Sequence, residues 1–148
     1  MIKELSLAEI LHVAKRMDDA QWNEIACVSF FNSREEYAAA QFLKTGVKFS
    51  LVQDGEVWSC GGITFDNEWR GSMWMIHQPG WEKYVKEAIQ IGRDMIEHCG
   101  LRLIHALVMK GNDKALNYIQ HMGFIECGSL NAYGRDGESF YMHEIVRK

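Results

Sequence analysis

Apolar residues along this chain follow two periods, and the switch between them separates two kinds of structure. From Ser6 to Leu43 the spacing is helical. Leu7, Ile10, Leu11 and Ala14 share one face of a helix with Ser6 as its N-cap. Trp22, Ile25, Ala26 and Ser29 mark a second helix from Ala20 to Phe30. Ser33, followed by Glu35 and Glu36 at the positive end of the dipole, opens a third that runs towards Leu43. Ahead of these, Ile2–Leu5 fits a short strand.

From Val47 the period drops to two. Val47, Phe49 and Leu51 alternate with polar neighbours, Asp54-Gly55 supplies a tight turn, and Val57–Phe65 returns. Asp66-Asn67 makes the next turn and Ser72–His77 a further strand, which completes an antiparallel meander. After Pro79-Gly80, a long helix shows one face through Trp81, Tyr84, Val85, Ala88, Ile91, Gly92, Met95 and Ile96, and Gly100 stops it. Leu101–Met109 is nearly all apolar, the pattern of a strand covered on both faces. Asn112 or Asp113 caps a short helix through Met122, and Phe124–Ser129 and Ser139–Val146 form a last hairpin around Arg135-Asp136-Gly137. The predicted order is β-α-α-(α)-β-β-β-α-β-α-β-β. That is an α/β (α+β) fold with a mixed, mostly antiparallel central sheet flanked by helices.

Composition narrows the class. The 148 residues suit one domain over 1–148, since Pro79 is the only proline and no linker or repeat divides the chain. A formal net charge of −4 gives no reason to expect nucleic acid or an anionic membrane as partner. Cys27, Cys60, Cys99 and Cys127 show no C-x-x-C pair, so reduced, mostly buried thiols are expected. His98, His121 and His143 lack metal-ligand spacing, and no metal is expected. With no signal peptide or apolar span in the sequence, a cytoplasmic location is expected.

One segment carries more than structure. Leu101–Gly128 reads as a strand, then Asn112-Asp-Lys-Ala115-Leu-Asn-Tyr118-Ile119-Gln-His-Met-Gly123-Phe124, then a hairpin. Asn112 can cap the helix and offer an amide to a ligand, Ala115 lets the helix sit close to the sheet, and Gly123 ends it in a left-handed conformation. This resembles the N-x-x-A-x-x-x-(Y)-x-x-x-G-F signature of the GNAT (Gcn5-related N-acetyltransferase) superfamily, and the order of elements is similar to that family's.

The resemblance implies that the fourth and fifth strands, here Met73–His77 and Leu103–Met109, part to admit the pantetheine arm of acetyl-CoA as cosubstrate. The helix that starts at Trp81 would face the pyrophosphate. It assigns Met75, Ile76, Gln78, Gly80, Trp81 and Asn112 to cofactor binding. Two stretches depart from the family pattern. His77-Gln-Pro-Gly-Trp81 replaces R/Q-x-x-G-x-G/A, and Glu82 in the first turn opposes a phosphate while Lys83 and Lys86 partly offset it. Ile119 stands where the family places its proton-donating tyrosine; Tyr118 is one residue early, rotated about 100° around the helix.

A narrower likeness covers more of the chain. Asp19-x-x-Trp22-x-Glu24-Ile25, Asp54-Gly55, Gly61-Gly62, Gly71-x-x-Trp74-Met-Ile and Asn112…Gly123-Phe124 look similar to phage-encoded GNAT-like proteins, including an internal virion protein of short-tailed phages. That likeness implies host cytoplasm or virion as location, and a homodimer or phage assembly partner.

Each candidate residue has two readings. His77 is either a general base or a solvated strand-end histidine, since an unperturbed imidazole titrates near neutrality. Tyr118 protonates a departing thiolate or lies at the core edge, and Asn112 binds pantetheine or only caps. Gly80 with the N–H groups of Trp81 and Glu82 forms a small anion site or a plain Pro-Gly turn. His105 reads as an interior hydrogen-bonded histidine, and Cys60 and Cys127 as small buried hydrophobes. Trp58, Trp69, Trp74 and Trp81 could form an assembly patch.

Three functions follow. The first is an N-acetyltransferase that moves acetyl from acetyl-CoA to a primary amine of a small molecule or protein. It would polarise the thioester through an N–H near Met75 or Ile76, with His77 and Tyr118 as catalytic groups. The others are a catalytically silent virion or assembly protein and a module that binds a CoA ester without turning it over.

Overall fold

The computed structural model describes residues 2–147. Its elements are β1 (Ile2–Glu4), α1 (Leu7–Arg16), α2 (Asp19–Ala26), α3 (Arg34–Leu43), β2 (Gly46–Gln53), β3 (Glu56–Phe65), β4 (Arg70–His77), α4 (Val85–His98), β5 (Leu103–Met109), α5 (Asp113–His121), β6 (Ile125–Leu130) and β7 (Phe140–Val146). Seven strands form one sheet in the order β1-β2-β3-β4-β5-β7-β6. Every pairing is antiparallel except β4 with β5.

Local chemistry explains the helix starts. The Ser6 hydroxyl accepts from Glu9 N–H while the Glu9 carboxylate accepts from Ser6 N–H, a reciprocal capping box that satisfies two otherwise orphaned donors. Asp18, Ser33 and Asn112 cap α2, α3 and α5 in the same way through their side-chain oxygens. In β3, a Cβ on Gly62 would lie 2.1 Å from the Val47 carbonyl oxygen, so only glycine lets β2 approach that closely.

The period-two alternation distributes side chains to two cores. Cys60 and Ile76 join Ile10, Val13, Ala14, Tyr37 and Ala38 under α1 and α3. On the opposite face, Ile63, Ile104 and Val108 join Ala88, Ile91, Ile119 and Phe124 under α4 and α5. β6 is one outer edge, and its pairing slips between Glu126 and Gly128, so Cys127 forms a bulge.

Four expectations need correction. The second helix ends at Ala26 rather than Phe30: beyond it the Val28 and Ser29 N–H groups donate three residues back, to the Ile25 and Ala26 carbonyls, in a tightened turn; Phe30 is left 96% exposed. The helix expected from Trp81 begins as a four-residue 3-10 turn, Trp81–Tyr84, and becomes α-helical at Val85. β5 is buried at Ile104, Ala106 and Val108 but half-buried at the residues between, so it is covered tightly on one face only. The four cysteines are free thiols, yet only Cys60 is buried. Among the described residues, no helix is long and apolar enough to cross a membrane.

Candidate functional site

β4 and β5 pair only at Arg70–Leu103, Gly71–Ile104 and Ser72–His105. Beyond that point β4 stays in register with β3 as far as Ser59–His77, and β5 stays with β7 as far as Met109–Phe140. Each strand is locked to its outer neighbour, so the two diverge, and Met73–His77 faces Ala106–Met109 across a gap. Backbone alternation sorts the β4 residues. Gln78 N–H donates to the Trp58 carbonyl on β3 at 3.0 Å, whereas the N–H and C=O of His77 point away from β3 and meet the Gln21 amide. Residues two apart on a strand point their backbone groups the same way, so Met73 and Met75 turn theirs to the gap and Trp74 and Ile76 turn theirs to β3. Ile76 also buries its side chain in the α1 core. Of the two amides named for carbonyl polarisation, Met75 faces the gap and Ile76 does not.

On the α4/α5 side the structure gathers four of the residues that the sequence singles out. His77 stacks on Trp81 with ring centroids 3.6 Å apart and 8° between planes. Tyr118 meets both rings edge-on, at 6.1 Å from His77 and 5.5 Å from Trp81. The Tyr118 hydroxyl reaches across from α5 to Met75 Sδ at 2.7 Å. Its early place in the helix is therefore no bar to entering the gap, while Ile119 packs into the core beside it.

Packing changes the chemistry of both ionisable groups. Burial pushes the His77 imidazole down to about 3 and the Tyr118 phenol well up. His77 is thus neutral at physiological pH and a poor proton acceptor. The near-neutral base suggested by an unperturbed histidine is not what this environment makes. Ser59 Oγ lies 2.7 Å from His77 Nδ1 and fixes the ring's orientation.

The loop after β4 is turned inward. Gly80 adopts φ +95°, and a Cβ there would come within 3.1 Å of the Trp58 ring. Trp81 N–H closes a turn onto the Gln78 carbonyl at 3.2 Å. Gln78 is itself buried, its amide nitrogen donating to Glu56 and to the Val57 carbonyl. Lys83 Nζ lies 4.6 Å above the Trp58 ring. The loop spends donors on itself that an anion site would need, and the first α-helical residue comes only at Val85.

Two residues that the sequence did not single out as site groups complete the arrangement. Gln21 and Glu24 lie one turn apart on α2. The Gln21 amide accepts from His77 N–H at 2.9 Å and donates to His77 C=O at 3.1 Å. Glu24 accepts from Asn112 Nδ2 at 2.9 Å, and the Met109 backbone lies close enough to draw its carboxyl pKa down. Asn112 uses its other atom, Oδ1, to cap Ala115 N–H at 3.2 Å. Burial raises the Glu24 carboxyl pKa, against the pull of these two donors. Among the described residues, no group of three or more His, Cys, Asp and Glu side chains gathers that could hold a metal ion.

A mostly antiparallel sheet flanked by helices, with one parallel pair that splits open, is the GNAT fold. Solved structures of N-acetyltransferases share it over nearly their whole length. An N-acetyltransferase from Staphylococcus aureus Mu50 superposes with a TM-score of 0.80 at 15% identity, covering 100% of this chain and 98% of the other. The ribosomal-protein-S18-alanine N-acetyltransferase from Escherichia coli gives 0.74 at 18% identity, covering 100% and 94%. A putative acetyltransferase from Salmonella typhimurium, solved with its cofactor acetyl-CoA, gives 0.74 at 11% identity, also covering 100% and 94%. At these identities the likeness is one of fold. No protein-family model matches the chain, and no curated protein matches it.

Proposed function

We propose that the chain is a single acyltransferase domain that uses acetyl-CoA to acetylate a primary amine. The observation that carries this reading is the parting of β4 and β5 after Ser72 and His105, which turns the backbone groups of Met75 towards the gap. A thin chain bearing amides, such as pantetheine, matches such an edge in hydrogen-bonding character. The pyrophosphate end fits less well, since Trp81 N–H and the Gln78 side chain are already engaged. Met75, Gly80, Trp81 and Asn112 remain the proposed cofactor contacts. Ile76, paired with Cys60, and Gln78, bonded to Trp58 and Val57, would support them by anchoring the end of β4 to β3.

Acyl transfer asks three things of this chain. Met75 N–H would polarise the thioester carbonyl while the amine nitrogen attacks its carbon. Glu24, whose raised pKa suits proton acceptance better than the weakly basic His77, would take the proton lost by the amine. Tyr118, kept protonated by burial, would donate its hydroxyl proton to the departing thiolate and regain one from solvent. His77 would hold the arriving amine as a neutral hydrogen-bonding group. The four free thiols suit a reducing compartment such as the cytoplasm.

The experiment is a melting curve with and without acetyl-CoA, paired with an acetyl-transfer assay on small amines and N-terminal peptides. Ligand at about 100 times its dissociation constant should add about 2.7 kcal/mol. Tyr118→Phe should bind equally and turn over more slowly. No shift at millimolar acetyl-CoA would remove the reading. The loop after β4, whose Trp81 N–H and Gln78 amide are engaged within the chain, favours a second one, the same fold serving as an assembly component, in a phage particle for instance, without transfer chemistry. Fixed copy number in a purified particle, without turnover, would support that alternative.

A further inference from the structure

On the α1 side of the sheet the open end of the gap is crossed by α2. This helix has no fully buried residue. Its apolar contacts are the half-buried Trp22 and Ile25 at the margin of the α1 core. Besides Arg34 of α3, whose guanidinium donates to Asp19 at 2.7 Å, polar tethers hold it at three points. Gln21 engages both backbone groups of His77 at the end of β4. Glu24 accepts from the Asn112 amide just past the end of β5. Just past the helix, Arg135 of the β6–β7 loop donates to the Cys27 carbonyl at 2.7 Å through its N–H and to the Ser29 carbonyl at 2.9 Å through its guanidinium. The first two tethers grip the two strands that part.

We propose that α2 is a strap over the gap, and that the Gln21 amide occupies the His77 edge groups that a pantetheine amide would otherwise take. A carboxamide presents one donor and one acceptor on a single edge, the pair that an extended ligand offers a strand edge with the N–H of one amide and the C=O of the next. Donor binding therefore exchanges Gln21 for the ligand's own amide. The exchange is easy for two reasons. Only the Gln21 side chain need swing aside, so Trp22 and Ile25 keep their contacts with the α1 core and Glu24 keeps its place beside Asn112. The His77 groups that Gln21 gives up are satisfied again by N–H and C=O of successive amides of the ligand, so none is left orphaned. This inference rests on the acyl-donor reading.

The test compares wild type with Gln21→Ala by titration with acetyl-CoA and by amide hydrogen exchange. Gln21→Ala should bind about fivefold more tightly, a difference of about 1 kcal/mol. In the free variant the His77 amide should exchange faster than in wild type, and acetyl-CoA should restore its protection. Gln21→Asn, whose shorter amide falls short of His77, repeats the comparison should alanine disturb the helix. Equal affinity in wild type and variants, or equal His77 exchange in the free proteins, would overturn the strap alone. No binding to any of them at millimolar acetyl-CoA would overturn the acyl-donor reading and the exchange together.

Discussion

α1 and α2 pack on the same side of the sheet and are held there by different physics. α1 presents Ile10, Val13 and Ala14, all 0% exposed, to a core that includes Cys60 and Ile76. Its hold is apolar, non-directional and spread over many contacts. α2 relies on a few directed hydrogen bonds from Gln21, Glu24 and the carbonyls beyond its end. A helix held by burial cannot leave without unfolding its neighbours, whereas one held by exchangeable polar bonds can be released by anything that offers the same bonds. The two helices thus divide this face into a part fixed by burial and a part whose bonds can be exchanged.

Truncating the core side of α1 gives the largest expected effect. Ile10→Ala should lower the unfolding free energy by about 2–5 kcal/mol, read by urea or thermal denaturation. A loss under about 1 kcal/mol would erase the contrast drawn above.

Acid should act through the gap. The His77 pKa is lowered from 6.5 to about 3 by burial, so below pH 6.5 the unfolded chain takes up a proton that the folded ring refuses. Its contribution to stability is present above pH 6.5 and is lost progressively as the pH falls towards about 3. His77→Asn should flatten that part of the stability–pH curve, and an unchanged slope would contradict the packing of His77 against Trp81.

Smaller effects sharpen the comparison. Ser6→Ala removes the capping box of α1 and should cost about 1 kcal/mol in denaturant melts. Gln21→Ala should cost about 0.5–1 kcal/mol, since the His77 groups it frees can turn to water once the helix loosens. Were Gln21→Ala as damaging as Ile10→Ala, α2 would be part of the scaffold after all.

Much of the frame was legible because it is written locally. Ser6 and Ser33 announce their helices by chemistry within three residues, and Val47, Phe49 and Leu51 show their strand by alternation alone. Tyr118, Asn112, Met75 and His77 could be named because a motif and a strand end mark them. Gln21 and Glu24 could not. Their partners lie 56 and 88 residues away, and no spacing rule links a surface helix to the ends of two strands. The state of His77 was equally hidden, since its shift comes from Trp81, Tyr118 and Ser59 closing around it, which only the packed chain specifies. The end of the second helix is hidden in the same way, since the segment after Ala26 is held by Arg135, more than a hundred residues further along the chain.

The bulge at Cys127 has a bearing on life in a crowded solution. β6 borders the sheet and carries Ile125, 69% exposed, so a straight β6 would offer a sticky, ready-made template for a second molecule to zip onto. The extra residue between Glu126 and Gly128 puts that row of donors and acceptors out of step. Newly made chains can then accumulate side by side without being recruited into a growing sheet.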